Sequence, residues 1–220
     1  MKNTAKHLLF LNNLSKQTLE KLNLNASLNV SCIPLIKASA TDFNIKKLDS
    51  EIPWAFSSRT AVEIVLSKNI PLSKKIYAIG PKTAELIPSA IIPSKASAIE
   101  LANLIIEKKE KEVIFICGNR RRDELPEQLS SEGIQIKEVV VYEIENLNKT
   151  VNLHGIDGLA FMSPSAVYSL AKNGEFNDLP CFALGPTTAQ AIKEKGQKCI
   201  ISKTTTPMSI VETAIKYFNK

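Results

Sequence analysis

Short apolar blocks recur along the chain. Each is followed by Ser, Gly or Thr and then by apolar residues at helical spacing. Residues 8–11 (Leu-Leu-Phe-Leu) form the first block, and Ser15 then caps a helix carrying Leu19 and Leu22. Residues 28–36 read as a second strand, closed off by Pro34 and by the polar run 37–50. Residues 54–56 are the next strand, and Ser58 opens a helix that runs through Leu66. Residues 76–79 lead to Gly80-Pro81, with Pro at the first helical position, where its missing N–H does little harm. Residues 91–92 predict a brief strand. The capping box Ser97-Ala98-Ile99-Glu100 begins a helix with Leu101, Leu104 and Ile105 on one face. A strand at 113–117, a helix from about 121 to 130 and a long apolar run at 134–144 follow. The chain closes with a strand at 199–201 and a helix that Pro207 starts in its first turn.

Several of these blocks repeat at a constant offset of 105 residues. Ala55, Phe56, Ser58, Ala61 and Val62 recur as Ala160, Phe161, Ser163, Ala166 and Val167. Ala78-Ile79-Gly80-Pro81-Lys82-Thr83-Ala84 recurs as Ala183-Leu184-Gly185-Pro186-Thr187-Thr188-Ala189. The N-terminal strand and helix recur at 113–145. Strands alternating with helices imply an α/β chain of two similar lobes, each a five-stranded parallel sheet flanked by helices. The segments are 1–36, 53–109, 113–145 and 157–219, and periodicity leaves their pairing open. Each lobe could be continuous, or the first and last segments could share one lobe while the middle two share the other.

Composition narrows the class. With 44% hydrophobic and 23% charged residues over 220 positions, the chain is ordinary for a globular protein and long enough for two lobes of about 110 residues. Its apolar runs are too short to span a bilayer. The basic start, Met1-Lys2-Asn3-Thr4-Ala5-Lys6-His7, leads into only four apolar residues, so no signal peptide is expected. Cys32, Cys117, Cys181 and Cys199 are widely spaced within apolar runs. They read as reduced core cysteines of a cytoplasmic protein, not as a disulfide frame or zinc site. The net charge of +6 suits a polyanionic ligand. It also leaves a nucleic-acid-binding reading open, although basic and aromatic residues do not interleave as single-strand binding requires.

Six stretches carry a resemblance. They are Phe-Ser-Ser-Arg-Thr-Ala-Val (56–62), Ile-Gly-Pro-Lys-Thr-Ala (79–84) and Cys-Gly-Asn-Arg-Arg-Arg-Asp-Glu-Leu-Pro (117–126), then Val-Val-Val-Tyr-Glu (139–143), Met-Ser-Pro-Ser-Ala-Val (162–167) and Leu-Gly-Pro-Thr-Thr-Ala-Gln-Ala (184–191). In this order, and across nearly the whole chain, they resemble the uroporphyrinogen-III synthase family. The chain departs from the family at Ser57-Ser58-Arg59-Thr60, at Met162 and at Asn12-Asn13, where many members carry a basic residue. The resemblance implies swapped lobes of flavodoxin-like form, one from 1–36 and 147–220, the other from 37–146, joined by a two-stranded linker. It implies a lyase of tetrapyrrole (heme) biosynthesis. The family takes hydroxymethylbilane, a linear tetrapyrrole with eight carboxylates, inverts its last ring and closes the macrocycle with loss of water. No metal or organic cofactor takes part. The expected partner is this small molecule, with no nucleic acid and no membrane, and the expected state is a monomer.

The residues suit such a ligand. Open α/β sheets bind beyond the C-terminal ends of their strands, where helix N-termini offer free N–H groups and partial positive charge. The candidates for substrate binding are Ser58, Arg59 and Thr60; Gly80, Lys82 and Thr83; Gly118, Asn119 and Arg122; Ser163 and Ser165; and Gly185, Thr187 and Thr188. Two lobes facing each other would put these ends on both walls of one cleft. Ordinary capping is the competing explanation for Ser-Pro and Gly-Pro before a helix, and recurrence in both lobes weighs against it. Three arginines at a helix start oppose the helix dipole unless an anion sits nearby. Tyr142, where strand becomes linker, is the one candidate for proton transfer, against an alternative in which it only packs. His7 and His154 lie outside every motif and have no assigned role. A two-lobed binding protein that does not turn its ligand over shares all of these features.

Overall fold

The computed structural model describes residues 5–24 and 27–219. The first four residues of the basic start lie outside that range. In chain order the elements are β1 (Lys6–Phe10), α1 (Lys16–Leu22), β2 (Leu28–Cys32), β3 (Ile36–Ala40), a 3-10 turn (Ile45–Lys47), β4 (Trp54–Phe56), α2 (Arg59–Ser67), β5 (Ile76–Ala78), α3 (Pro81–Ala84) and α4 (Ala98–Glu107). They continue with β6 (Glu112–Gly118), α5 (Glu124–Ser131), β7 (Gln135–Asn146), β8 (Gly158–Phe161), α6 (Pro164–Asn173), β9 (Cys181–Ala183), α7 (Pro186–Glu194), β10 (Cys199–Ile201) and α8 (Pro207–Phe218). None of the described helices is long and apolar enough to cross a membrane. The fold is α/β, with parallel sheets flanked by helices.

Contacts divide the chain into two compact units, Met1–Lys37 with Glu145–Lys220, and Ala38–Ile144. In the first unit the strand order is β10-β9-β8-β1-β2, and every neighbouring pair is parallel. Leu8 and Phe10 of β1 face one core, with Leu28, Phe182 and Ile210, while Leu9 and Leu11 face another, with Leu159, Phe161 and Val167. Burial on both faces explains why this strand reads as an unbroken apolar run.

The sheet of the second unit has the order β3-β7-β6-β4-β5. The pairs β7–β6, β6–β4 and β4–β5 are parallel. Trp54, Phe56, Ile114 and Ile116 fill one face, and Ala55, Tyr77, Val113 and Phe115 the other. Its fifth strand corrects the expectation of a wholly parallel sheet. The Thr41 N–H donates to the Val141 carbonyl (3.0 Å) and the Leu147 N–H to that of Leu35 (2.9 Å). Rising numbers on β3 meet falling numbers on β7, so this pair is antiparallel. The expected parallel strand at 91–92 makes only a single bridge, from Ile91 to Tyr77. Pro88 and Pro93 bracket it, and proline donates nothing to a ladder.

Two further boundaries differ from the pattern. The apolar run 28–36 is two strands, because Pro34 stops β2 and the chain restarts as β3, inside what reads as a polar connection. The helix expected from about 121 begins at Glu124, so the three arginines lie in the turn before it.

Candidate functional site

In the second unit the C-terminal ends of β4, β5 and β6, with Tyr142 of β7, border a cavity of about 440 Å³. Ser57, Ser58, Gly118, Arg120, Arg121, Arg122 and Tyr142 line it, with Ile79, Phe115 and Leu125 as apolar wall.

Tyr142 is held by backbone design. The ladder between β6 and β7 shifts register after Cys117, so that Gly118 pairs with Tyr142. A Cβ on Gly118 would lie 2.4 Å from Tyr142 Cζ and 2.5 Å from Cε2, so only glycine leaves room for the ring. The Asn119 backbone N–H donates to the Tyr142 carbonyl (3.0 Å), and Asn119 Oδ1 accepts from the Ile144 N–H (3.0 Å). Asn119, expected to meet substrate, thus clamps β7 at the Tyr142 carbonyl and again at Ile144. The Tyr142 hydroxyl donates to Ser58 Oγ at 3.1 Å, and the same oxygen accepts the Ala61 N–H at 3.2 Å, capping α2. The neighbouring Cys117 thiol is buried, and burial pushes its pKa up to about 12, which removes it as a nucleophile.

The arginines divide into two kinds. Arg121 makes a two-pronged bond to Glu138 (Nε to Oε2 2.5 Å, Nη2 to Oε1 2.7 Å) and also pairs with Asp123. The bond to Glu138 above all raises its pKa, outweighing burial. Arg59 pairs with Glu63 (2.9 Å) and with Glu85, so its charge is already answered. Arg122 is exposed, and the nearest carboxylate oxygen, on Glu124, is 3.8 Å away, beyond hydrogen-bond reach. Arg120 is exposed and forms no ion pair among the described residues. The sequence singled out Arg122 from this cluster. Arg120 carried no distinguishing signal, and neither did Glu138, whose part in fixing Arg121 is visible only in three dimensions.

The remaining candidates of this unit stand apart from the cavity lining. Thr60 is half-buried in the first turn of α2. Gly80 lies against Ala96, where a Cβ would approach to 2.6 Å. Lys82 is exposed and Thr83 buried in α3, which is a single turn.

In the first unit, Ser163 and Gly185 occupy the N-cap positions of α6 and α7, and neither helix has a side-chain cap. By contrast α1 and α8 are capped by Ser15 and Thr206. The uncapped ends follow the adjacent strands β8 and β9, leaving first-turn N–H groups such as those of Ser165, Thr187 and Thr188 without a side-chain acceptor. Thr187 is exposed, Ser165 half-buried, and Thr188 only 3% exposed, so an anion at α7 would meet the backbone of Thr188 more than its hydroxyl. Ser163 Oγ accepts instead from Asn12 Nδ2 (3.0 Å), while Asn12 Oδ1 accepts from the Met162 N–H (2.7 Å). Asn12, noticed in the sequence only as a missing basic residue, braces the turn between β8 and α6.

His7 Nε2 lies 2.7 Å from Ser31 Oγ, but Asp157 bonds the His7 backbone N–H (2.8 Å), not its ring, and pairs with Lys6. This cluster lies at the N-terminal end of β1, away from the candidate strand ends, and is not a catalytic triad.

Comparison with known proteins bears on the whole of this arrangement. A relative in Saccharomyces cerevisiae, uroporphyrinogen-III synthase, is 27% identical over 179 residues; the match covers 66% of this chain and 65% of the yeast protein, just under two thirds of its length. A putative uroporphyrinogen-III synthase of Archaeoglobus fulgidus is 28% identical over 198 residues, covering 81% of this chain and 84% of that one. The crystal structure of uroporphyrinogen-III synthetase from Helicobacter pylori superposes with a TM-score of 0.68 at 18% identity, over 96% of this chain and 99% of that one, which speaks for the fold. Residues 17–212 match the sequence model of uroporphyrinogen-III synthase HemD, and the chain therefore belongs to that family.

Proposed function

We propose that the protein is a lyase of tetrapyrrole biosynthesis, converting hydroxymethylbilane to uroporphyrinogen III by inverting the terminal ring and closing the macrocycle with loss of water. The family match over residues 17–212 carries this reading. The chemistry of the strand ends supports it. An octacarboxylate needs many dispersed anion donors, and the chain offers the open guanidinium groups of Arg120 and Arg122 together with the uncapped ends of α6 and α7. Ser57, Ser58, Ser97 and Tyr142 supply hydroxyl groups to the site, and those of Ser58 and Tyr142 are bonded to each other. Folding a flexible chain so that its last ring inverts is largely a positioning task, which fits a site with no activated nucleophile.

The same reading takes the two units as swapped flavodoxin-like lobes, 1–36 with 147–220 and 37–146, linked by β3 and β7. In its support, the order β2-β1-β8-β9-β10 is the 2-1-3-4-5 order of that fold, and β7-β6-β4-β5 followed by Ile91 repeats it with the chain cut elsewhere. The protein is proposed to act as a cytoplasmic monomer, without metal, organic cofactor or nucleic acid.

The test is incubation with freshly generated hydroxymethylbilane. The expected product is the type III macrocycle, whereas uncatalysed closure gives type I. Product that is all type I at high protein concentration refutes the assignment and leaves a binding protein.

A further inference from the structure

Ser58 Oγ carries one proton and two lone pairs. The Ala61 N–H can only donate, and it occupies one lone pair at 3.2 Å. The Tyr142 hydroxyl, 3.1 Å away, occupies the other. Of two facing hydroxyls the phenol is the stronger hydrogen-bond donor, and here it donates to the serine. Ser58 therefore has both acceptor sites filled within the protein, while its own proton has no acceptor among the described residues. That proton belongs to the cavity that Ser58 lines.

We propose that Ser58 is the hydroxyl that touches the substrate, as a hydrogen-bond donor only, and that Tyr142 is a positioning residue acting through it. The proposal rests on the tetrapyrrole reading above and deepens it. The commitment of neighbouring residues to Tyr142 supports it. Gly118 gives up its side chain to the ring, the β6–β7 register shifts at that point, and both hydrogen-bonding ends of Asn119 fix the strand around it. These features set the phenol oxygen against Ser58 and keep the serine from turning its proton back into the protein.

A donor with no free lone pair discriminates. It meets an acceptor oxygen and not a pyrrole N–H. Two kinds of substrate oxygen qualify, the departing hydroxyl and a side-chain carboxylate, and they separate experimentally because the product retains only the carboxylates.

The experiment is a double-mutant cycle of Ser58→Ala and Tyr142→Phe, reading kcat, KM and the Kd of uroporphyrinogen III. Ser58→Ala is expected to lower kcat/KM about ten- to a hundredfold. Tyr142→Phe should cost less, about three- to tenfold, and the double variant should equal Ser58→Ala. If the oxygen is the departing hydroxyl, the loss falls on kcat with the product Kd unchanged. If it is a carboxylate, KM and product Kd rise together. Ser58→Asn, which keeps both a cap oxygen and an N–H donor, should recover activity, whereas Ser58→Asp, equally good as a cap but without a proton to give, should not. Losses that multiply in the double variant overturn the proposal, because Tyr142 then meets the substrate directly. A wild-type protein without turnover would defeat the tetrapyrrole reading alone. The hydroxyl assignment is then decided by neutron diffraction from deuterium-exchanged crystals. A deuteron on Tyr142 pointing at Ser58, with that of Ser58 pointing into the cavity, upholds it, and the reverse orientation overturns it.

Discussion

Replacing Gly118 by alanine tests the geometry on which the site depends. The new methyl group would lie 2.4, 2.5 and 2.9 Å from three atoms of the Tyr142 ring, well inside van der Waals contact. The ring cannot yield cheaply, since it packs against the core that includes Val139 and Val141, and Asn119 bonds the strand at the Tyr142 carbonyl and at Ile144. Overpacking of this kind costs about 1–3 kcal/mol, and losing the bond from Tyr142 to Ser58 adds about 1 kcal/mol. For a chain of this length a loss of about 2–4 kcal/mol lowers Tm by roughly 4–16 °C. Urea or thermal unfolding of Gly118→Ala measures it. The decisive comparison is the same substitution in a Tyr142→Ala background, where the ring is gone and the extra cost of alanine at 118 should fall below about 0.5 kcal/mol. Gly133→Ala is a useful contrast. Its φ is +75° and a Cβ there meets nothing, so its cost is backbone strain that Tyr142→Ala leaves unchanged. A Gly118→Ala protein as stable as wild type, or one whose penalty survives removal of the ring, would refute the close-approach argument.

The remaining predictions concern charge. Arg122→Ala and Arg120→Ala should each raise KM and product Kd together, by about 1.5–3 kcal/mol of lost charge-assisted bonding, with kcat little changed; steady-state kinetics and product titration check this. Arg59→Ala should have a much smaller effect on KM, because Glu63 and Glu85 already hold its guanidinium. Thr188→Val should weaken product binding only slightly, since the backbone N–H groups at the α7 end survive the change. For Asp157, burial pushes the carboxyl pKa up, but the Lys6 ammonium and the His7 N–H outweigh it and hold the folded pKa below its ordinary value. Its stabilising contribution is therefore present above about pH 4, the unfolded value, and is lost as pH falls through the folded pKa. Asp157→Asn should be less stable than wild type at pH 7, and unfolding curves of the two proteins should converge as the pH is lowered below 4.

Local patterns in the sequence already specified much of the molecule. Strands buried on both faces need continuous apolar runs, and helices need a cap and a repeating apolar face. The elements at 8–11, 54–56, 113–117 and 199–201, and the helix starts at Ser58, Ser97, Ser163 and Pro207, were legible for that reason. The 105-residue repeat showed that the pattern occurs twice, and family motifs pointed to the strand ends as the place for chemistry. What periodicity left open was every pairing between residues distant in the chain. Partner strands are chosen by backbone hydrogen bonds that carry no side-chain signature, so only the family resemblance, not the periodicity, pointed to β1 and β2 lying with β8, β9 and β10, and β3 running against β7 emerged only from the tertiary structure. The fate of the charges was equally hidden. Arg121 and Arg122 are chain neighbours, yet one is bonded by Glu138 and the other reaches only Glu124 at 3.8 Å, because a guanidinium is held by whatever carboxylate the fold brings within hydrogen-bond reach. Gly118 read as a helix-end glycine, and only the packed structure disclosed the ring of Tyr142 against it, since a close approach is a property of two segments and neither encodes it alone.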